Sequence, residues 1–306
     1  MFLVDVSVII VNYNTKDLTI NCIRSIFDHT NGINYEVIVV DNASSDGSLT
    51  EIENKFPSVI TINSQENLGF GRANNLASQY STGKYLFFLN SDCILIENAI
   101  KKMFDYFESQ NNSINRIGAI GCLLLDMNRK LNTSYNRFPT PFSQIKRLFI
   151  ERVNRLFNTH FKLKDRFNYQ LDKNYEVDFI TGADLFISKD VFTFLNGFDP
   201  SFFLYYEETD LQKRMSDNSL KRIILDDVEI IHLEGGSTSR KLSSITIFLN
   251  SEFKYMRKHY PVYVYMLYYS IMTILMLPTL FVSSHSKKDK KVFLKMLIRN
   301  CKYSIH

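Results

Sequence analysis

The sequence predicts an α/β fold with a doubly wound, nucleotide-binding sheet. Three observations carry this. Apolar, β-branched runs of strand length recur through the N-terminal third, and each is followed by a turn rich in Asn, Asp, Ser or Gly and then by helical periodicity. The run Tyr85 to Leu89 is apolar on both faces, as a strand inside a sheet must be, and it delivers Asn90, Ser91 and Asp92 to its end. Strands alternating with helices at this spacing build a parallel sheet whose ligands lie beyond the carboxyl ends of the strands.

In chain order, Val6 to Val11 is the first strand, and Thr15 offers an N-cap for a helix with Leu18, Cys22, Ile23 and Ile26 on its apolar face. Tyr35 to Val40 is the second, closed by a turn from Asp41 to Gly47 that is dense in capping residues. Val59 to Ile62 is the third. Glu66-Asn-Leu-Gly-Phe-Gly-Arg72 follows it, then a helix to Tyr80 and the strand that ends at Asp92. No GxGxxG follows the first strand and no GxxxxGK[ST] occurs, so neither a dinucleotide fingerprint nor an NTPase phosphate loop is present. The turns instead carry Asp41, Arg72 and Asp92 at one sheet edge. These suit a nucleoside diphosphate: a carboxylate for the base, a guanidinium for phosphate and a carboxylate for a divalent metal. The bland alternatives are that Asp41 and Asp92 merely cap, the latter before a helix near Glu97, and that Arg72 pairs with Glu66.

From Asn136 to Lys173 the composition turns basic, with Arg137, Lys146, Arg147, Arg152, Arg155, Lys162, Lys164 and Arg166 against Glu151 and Asp165. Phe142, Ile145, Leu148, Phe149, Val153, Leu156 and Phe157 keep helical spacing there, which gives a basic amphipathic helix for anionic lipid or an ordinary surface helix. Around Thr181-Gly182-Ala183 small residues permit close approach of a ligand. Phe202, Phe203, Tyr205 and Tyr206 then precede Glu207, Glu208 and Asp210 at a helix start. Acids in a first turn satisfy the helix dipole, but a carboxylate against aromatic walls is also a better proton acceptor, as a general base requires. His232, after a strand and before Gly235-Gly-Ser-Thr238, is either structural or a further metal ligand.

Pro261 to Val282 has no charged residue, yet basic residues flank it on both sides and Pro278 interrupts it. Such a segment suits the membrane interface better than a span, with Val292 to Ile298 as a further amphipathic piece; a buried helix pair or a dimer interface is the alternative. Composition sets the frame. With 306 residues, 45% of them hydrophobic, the chain buries a large core; four cysteines without CxxC spacing argue against a zinc ribbon or disulfide framework; and a formal charge of +4 does not call for nucleic acid. The N-terminus shows no signal peptide pattern, so a cytoplasmic protein is expected.

Ser7-Val-Ile-Ile-Val-Asn-Tyr-Asn14, Val39-Val-Asp-Asn-Ala-Ser-Ser-Asp46, Glu66-Asn-Leu-Gly-Phe-Gly-Arg-Ala-Asn-Asn75, Leu89-Asn-Ser-Asp92 and Gly197-Phe-Asp-Pro through Glu-Glu-Thr-Asp-Leu211 together resemble the inverting family 2 glycosyltransferases, especially their rhamnosyltransferase-like branch. The likeness covers about residues 6 to 240. It implies a GT-A fold, the doubly wound fold of nucleotide-diphospho-sugar transferases, in residues 1–240, with a nucleotide-binding half at 1–125 and an acceptor half at 175–240. Residues 241–306 are then C-terminal membrane-associating helices.

The resemblance further implies that Asp41 reads the base, that Arg72 lies near the pyrophosphate, and that Tyr13, Asn67, Asn90, Ser91 and Gly182 belong to the nucleotide-sugar site. Asp92 becomes the metal-binding end of an Asp-x-Asp signature whose first position is Asn90 here, His232 helps hold the metal (Mg²⁺ or Mn²⁺), and Glu208 is the base, with Glu207 and Asp210 as rivals. A dTDP- or UDP-sugar donor, rhamnose or another hexose, and a lipid-linked or oligosaccharide acceptor in O-antigen or capsule synthesis are expected. The enzyme would then be peripheral or monotopic on the cytoplasmic face of the inner membrane. Two rivals stay open: a sugar-phosphate nucleotidyltransferase, which would want a basic glycine loop where Asn12-Tyr-Asn14 stands, and a non-catalytic binding member.

Overall fold

The computed structural model describes residues 4–110, 116–161, 174–233, 242–282 and 286–301. The glycine loop 235–238 and the basic residues Lys162, Lys164 and Arg166 lie outside them, as does the side chain of Arg155. The chain divides into two compact units. The first takes in Met1–Phe138, Gln170–Phe203 and Glu207–Gly236; the second takes in Pro139–Tyr169, Leu204–Tyr206 and Ser237–His306.

The first unit opens with β1 (Val6–Asn12), α1 (Lys16–His29), β2 (Tyr35–Asp41), α2 (Ser48–Lys55), β3 (Ile60–Asn63), α3 (Phe70–Tyr80) and β4 (Tyr85–Asn90). Val6, Val8, Ile9, Ile10, Leu86, Phe87 and Phe88 are fully buried, which is why these runs form central strands; each large side chain so buried contributes about 1.5–3 kcal/mol. The parallel pairings β3-β2-β1-β4 set Asn12 opposite Asp41, Asp41 opposite Asn63 and Val11 opposite Asn90. The turns that follow the strands therefore share one sheet edge.

Beyond β4 come β5 (Cys93–Leu95), α4 (Ala99–Gln110), β6 (Ile117–Leu125) and β7 (Tyr135–Asn136). The sheet is mixed, not wholly parallel. After β8 (Tyr175–Glu176) and β9 (Phe179–Ile180), β10 (Asp184–Ser188) runs antiparallel to both β4 and β6. An apolar run buried on both faces reads alike in either direction, so its pattern carries no sign of this reversal. α6 (Lys189–Phe194), α7 (Glu207–Asp217) and β11 (Lys221–His232) complete the unit, and β11 pairs parallel with β6 and antiparallel with β5. The short strand β5 corrects a second expectation. The chain after Asp92 enters the sheet and the helix begins only at Ala99, so Asp92 caps nothing near Glu97. Thr15 stands at the N-cap of α1, but its side chain makes no capping bond there; its hydroxyl turns to Asn12.

The second unit is helical: α5 (Pro141–Phe157), α8 (Leu242–His259), α9 (Val262–Met276), a 3₁₀ turn (Leu277–Phe281) and α10 (Lys287–Cys301). Reciprocal hydrogen bonds between Thr140 and Ser143 and the proline at its first turn start α5. Its expected apolar face is divided, with Leu148 buried and Ile145 and Val153 partly so. Arg147 donates to the fully buried Glu252 at 3.1 Å and Arg152 to Thr279 at 2.6 Å, while Phe142, Phe149, Leu156 and Phe157 are exposed. The buried acid decides this, since an unpaired carboxylate in a core is far more costly than an exposed aromatic ring. Glu252 also accepts from Tyr206 and Tyr268, and Tyr265 and Tyr269 bond the backbone of α10.

Candidate functional site

Asp92 sits just past β4, and the antiparallel pair of Cys93 with His232 carries the histidine to it. Leu233 N donates to Asp92 O at 3.0 Å, which pins the turn. The result is an Asp92 Oδ1 to His232 Nε2 distance of 3.2 Å, with both side chains partly exposed. Cys93 brings its sulfur within 4.8 Å of both. Burial holds its thiol well above the ordinary value, and Sγ points to Ala183 O at 3.5 Å. Protonated and turned inward, the thiol is a poor hard-ion ligand. Asp92 and His232 remain, an oxygen and an imidazole nitrogen of the kind that could hold a divalent cation.

The strand edge beside this pair holds the other predicted donor residues. Asp41 is buried and its carboxylate is used internally, accepting from Asn12 Nδ2 at 2.7 Å, Ser44 N at 3.1 Å and Ser48 Oγ at 3.3 Å. Asn67 Oδ1 shapes its own loop, accepting from Asn42 Nδ2 and Gly69 N. Tyr13 is half exposed, and Arg72 is exposed in the first turn of α3. Among the described residues Arg72 forms no ion pair, so the Glu66 pairing is not made. Asn90 and Ser91 are partly exposed, with Asn90 N donating to Ala183 O at 2.9 Å.

The acids at the start of α7 have three different surroundings. Asp210 is fully buried and pairs with Arg214 at 2.9 Å, whose guanidinium also holds Gly197 O. Glu207 is buried against Gly71, where a β-carbon would stand 3.3 Å from its own. Glu208 alone is partly exposed. Burial pushes its carboxyl above the usual carboxylate range, although the Thr209 hydroxyl at 3.2 Å works the other way. Gly182 lies beside it: a β-carbon there would be 3.4 Å from Glu208 Cγ, an ordinary contact distance. One turn, Thr181 to Ala183, is thus next to the acid at Gly182 and bonded to the end of β4 at Ala183. Sequence reasoning missed Asn12 and Cys93; a polar residue ending an otherwise apolar strand is the one signal that pointed to Asn12.

Known proteins resemble this chain. The family model described as Glycosyl transferase family 2 matches residues 7–189. A low-salt glycan biosynthesis hexosyltransferase, Agl10 of Haloferax volcanii, is 27% identical over 80% of this chain and 73% of its own length. The rhamnosyltransferase WbbL of Escherichia coli is 27% identical over 69% of this chain and 76% of its own. The minor teichoic acid biosynthesis protein GgaB of Bacillus subtilis is 28% identical over 56% of this chain, which spans only 20% of that protein. Among solved structures, GalNAc-T7 with UDP, GalNAc and Mn²⁺ superposes with a TM-score of 0.62 at 16% identity, covering 96% of this chain and 54% of that one. That likeness establishes the GT-A fold.

Proposed function

The chain belongs to glycosyl transferase family 2, and from that premise we propose that it transfers rhamnose or another hexose from a dTDP- or UDP-sugar to a lipid-linked or oligosaccharide acceptor in surface polysaccharide synthesis, inverting the anomeric centre. The observation that carries this is the Thr181–Ala183 turn, which lies beside Glu208, the one partly exposed acid of the first turn of α7, and bonds the strand end before Asp92. Glu208 takes the proton from the acceptor hydroxyl as it attacks the anomeric carbon, and its raised pKa suits a base working near neutral pH. Arg72 offers an unpaired guanidinium to the pyrophosphate, and Tyr13 an exposed ring to the nucleoside. Asp92 and His232 would hold the divalent cation, which when bound neutralises charge on the departing nucleoside diphosphate. The names of Agl10, WbbL and GgaB support the polysaccharide setting.

Membrane attachment belongs to the same proposal. Val262–Phe281 is apolar enough and long enough to cross a bilayer, with a mean hydropathy of 1.6. One face is committed to the protein through Tyr265, Tyr268, Tyr269, Met272 and Met276; Tyr263, Leu267, Ile274, Leu277 and Phe281 form the exposed stripe. A helix buried along one side and apolar along the other suits a position in the plane of the interface. A peripheral or monotopic enzyme is inferred on that ground.

The test is a thermal-shift screen of the purified protein against UDP-, dTDP- and GDP-sugars, each with and without Mn²⁺ or Mg²⁺. A metal-dependent rise in Tm with one donor class supports the reading and names the nucleotide. No shift with any donor turns the balance to a non-catalytic member of the fold.

A further inference from the structure

Asn12 ends β1 between β2 and β4, fully buried at the strand edge where the donor residues gather. Its Nδ2 faces Asp41 Oδ1 at 2.7 Å, Ser48 Oγ at 2.6 Å and Ser44 Oγ at 3.0 Å, and its two hydrogens serve two of these at a time. Its Oδ1 accepts from Thr15 Oγ1 at 2.9 Å and Thr19 Oγ1 at 2.8 Å. The amide has one sensible orientation: reversed, it would set its oxygen against the Asp41 carboxylate. Thr15 Oγ1 lies 3.2 Å from the hydroxyl of Ser91, the residue before Asp92. An unbroken path of side chains therefore runs Asp41, Asn12, Thr15, Ser91, from the turn after β2 to the turn after β4.

A cap alone would not need this path. Thr15 turns its hydroxyl away from the capping bond of α1 and toward Asn12, and the buried amide of Asn12 holds the members bonded to it in place. We infer that Asn12 is a positioning residue that couples the nucleoside end of the donor site to its metal end, so that each is bound more tightly when the other is filled. This rests on the donor-site reading given above. Asn12 touches neither donor nor metal in it; it braces the turn after β2 through Asp41 and Ser44, and the turn after β4 through Thr15.

The experiment is calorimetric titration of the full chain with UDP, and with dTDP in a second series, each with and without Mn²⁺. The quantity read is the factor by which Mn²⁺ tightens nucleotide binding. Asn12→Ala should lower that factor about fivefold or more, beyond any common loss of affinity. Thr15→Val, which cuts the link to Ser91 and leaves the Asn12–Asp41 bond, should lower the same factor with a small change in Tm, and it carries the test if Asn12→Ala does not fold. A factor unchanged in folded Thr15→Val overturns the coupling. If the wild-type protein binds neither nucleotide with metal, the donor-site reading falls and the coupling falls with it.

Discussion

Asp92 and His232 meet at 3.2 Å because a three-residue strand, β5, pairs with the last residues of β11. Each should be needed for the cation. Asp92→Ala and His232→Ala are expected to weaken Mn²⁺-dependent binding of a nucleoside diphosphate about tenfold or more, measured by calorimetry. Unchanged affinity in both would remove the pair from that role.

Glu208→Gln should keep donor binding and lose turnover, about 10²–10⁴-fold. The sign of the pH dependence follows from the raised carboxyl. A base must be ionised to act, so wild-type turnover climbs as pH rises through a pKa above the ordinary glutamate range, and the variant lacks this limb. Full turnover in Glu208→Gln would pass the role to Glu207 or Asp210.

Asp184 is fully buried in β10, with Oδ2 accepting from Cys122 N at 2.6 Å and burial pushing its carboxyl up from 3.8 to about 7. Between those values the unfolded chain has released the proton that the folded chain still holds, so stability falls as pH rises through that window, by at most about 1.4 kcal/mol per pH unit. Below it the contribution is fully present. Asp184→Asn should flatten that decline, read from urea midpoints across the pH series; a parallel slope in both proteins would show that Asp184 is ionised in the fold.

Gly69 and Gly47 both have positive φ, +80° and +76°, but differ in ψ, −175° against 14°, and in their surroundings. At Gly69 a β-carbon would fall 2.0 Å from Phe203 O, the acceptor of Phe70 N, whereas nothing lies within 4 Å at Gly47. Gly47→Ala should cost about 1 kcal/mol and Gly69→Ala about 3 kcal/mol or more, by chemical denaturation. Equal losses would show that the backbone at Phe203 gives way to the added carbon at little cost.

The exposed stripe of α9 should govern lipid binding. Leu267→Glu with Ile274→Glu, both about two-thirds exposed, is expected to leave Tm nearly unchanged and to abolish co-sedimentation with anionic vesicles. Retained sedimentation would clear the stripe, and a fall in oligomer size without a change in lipid binding would assign it to a second copy.

Much of the active half was legible in the residues themselves. Apolar runs of the right length marked the strands, and the polar residues that close them marked the functional edge, because both depend on neighbours in sequence. Asp92, Arg72, Asp41 and Glu208 stand out by type and position for that reason. Tertiary structure decided what depends on partners far along the chain. β5 joined Asp92 to His232, the Arg214 ion pair set Asp210 apart from Glu208, and Glu252 drew Arg147 of α5 inward. The direction of β10 was likewise undetermined by its residues. The pairing of a distant charge and the direction of a strand are properties of contact, and local pattern does not encode them.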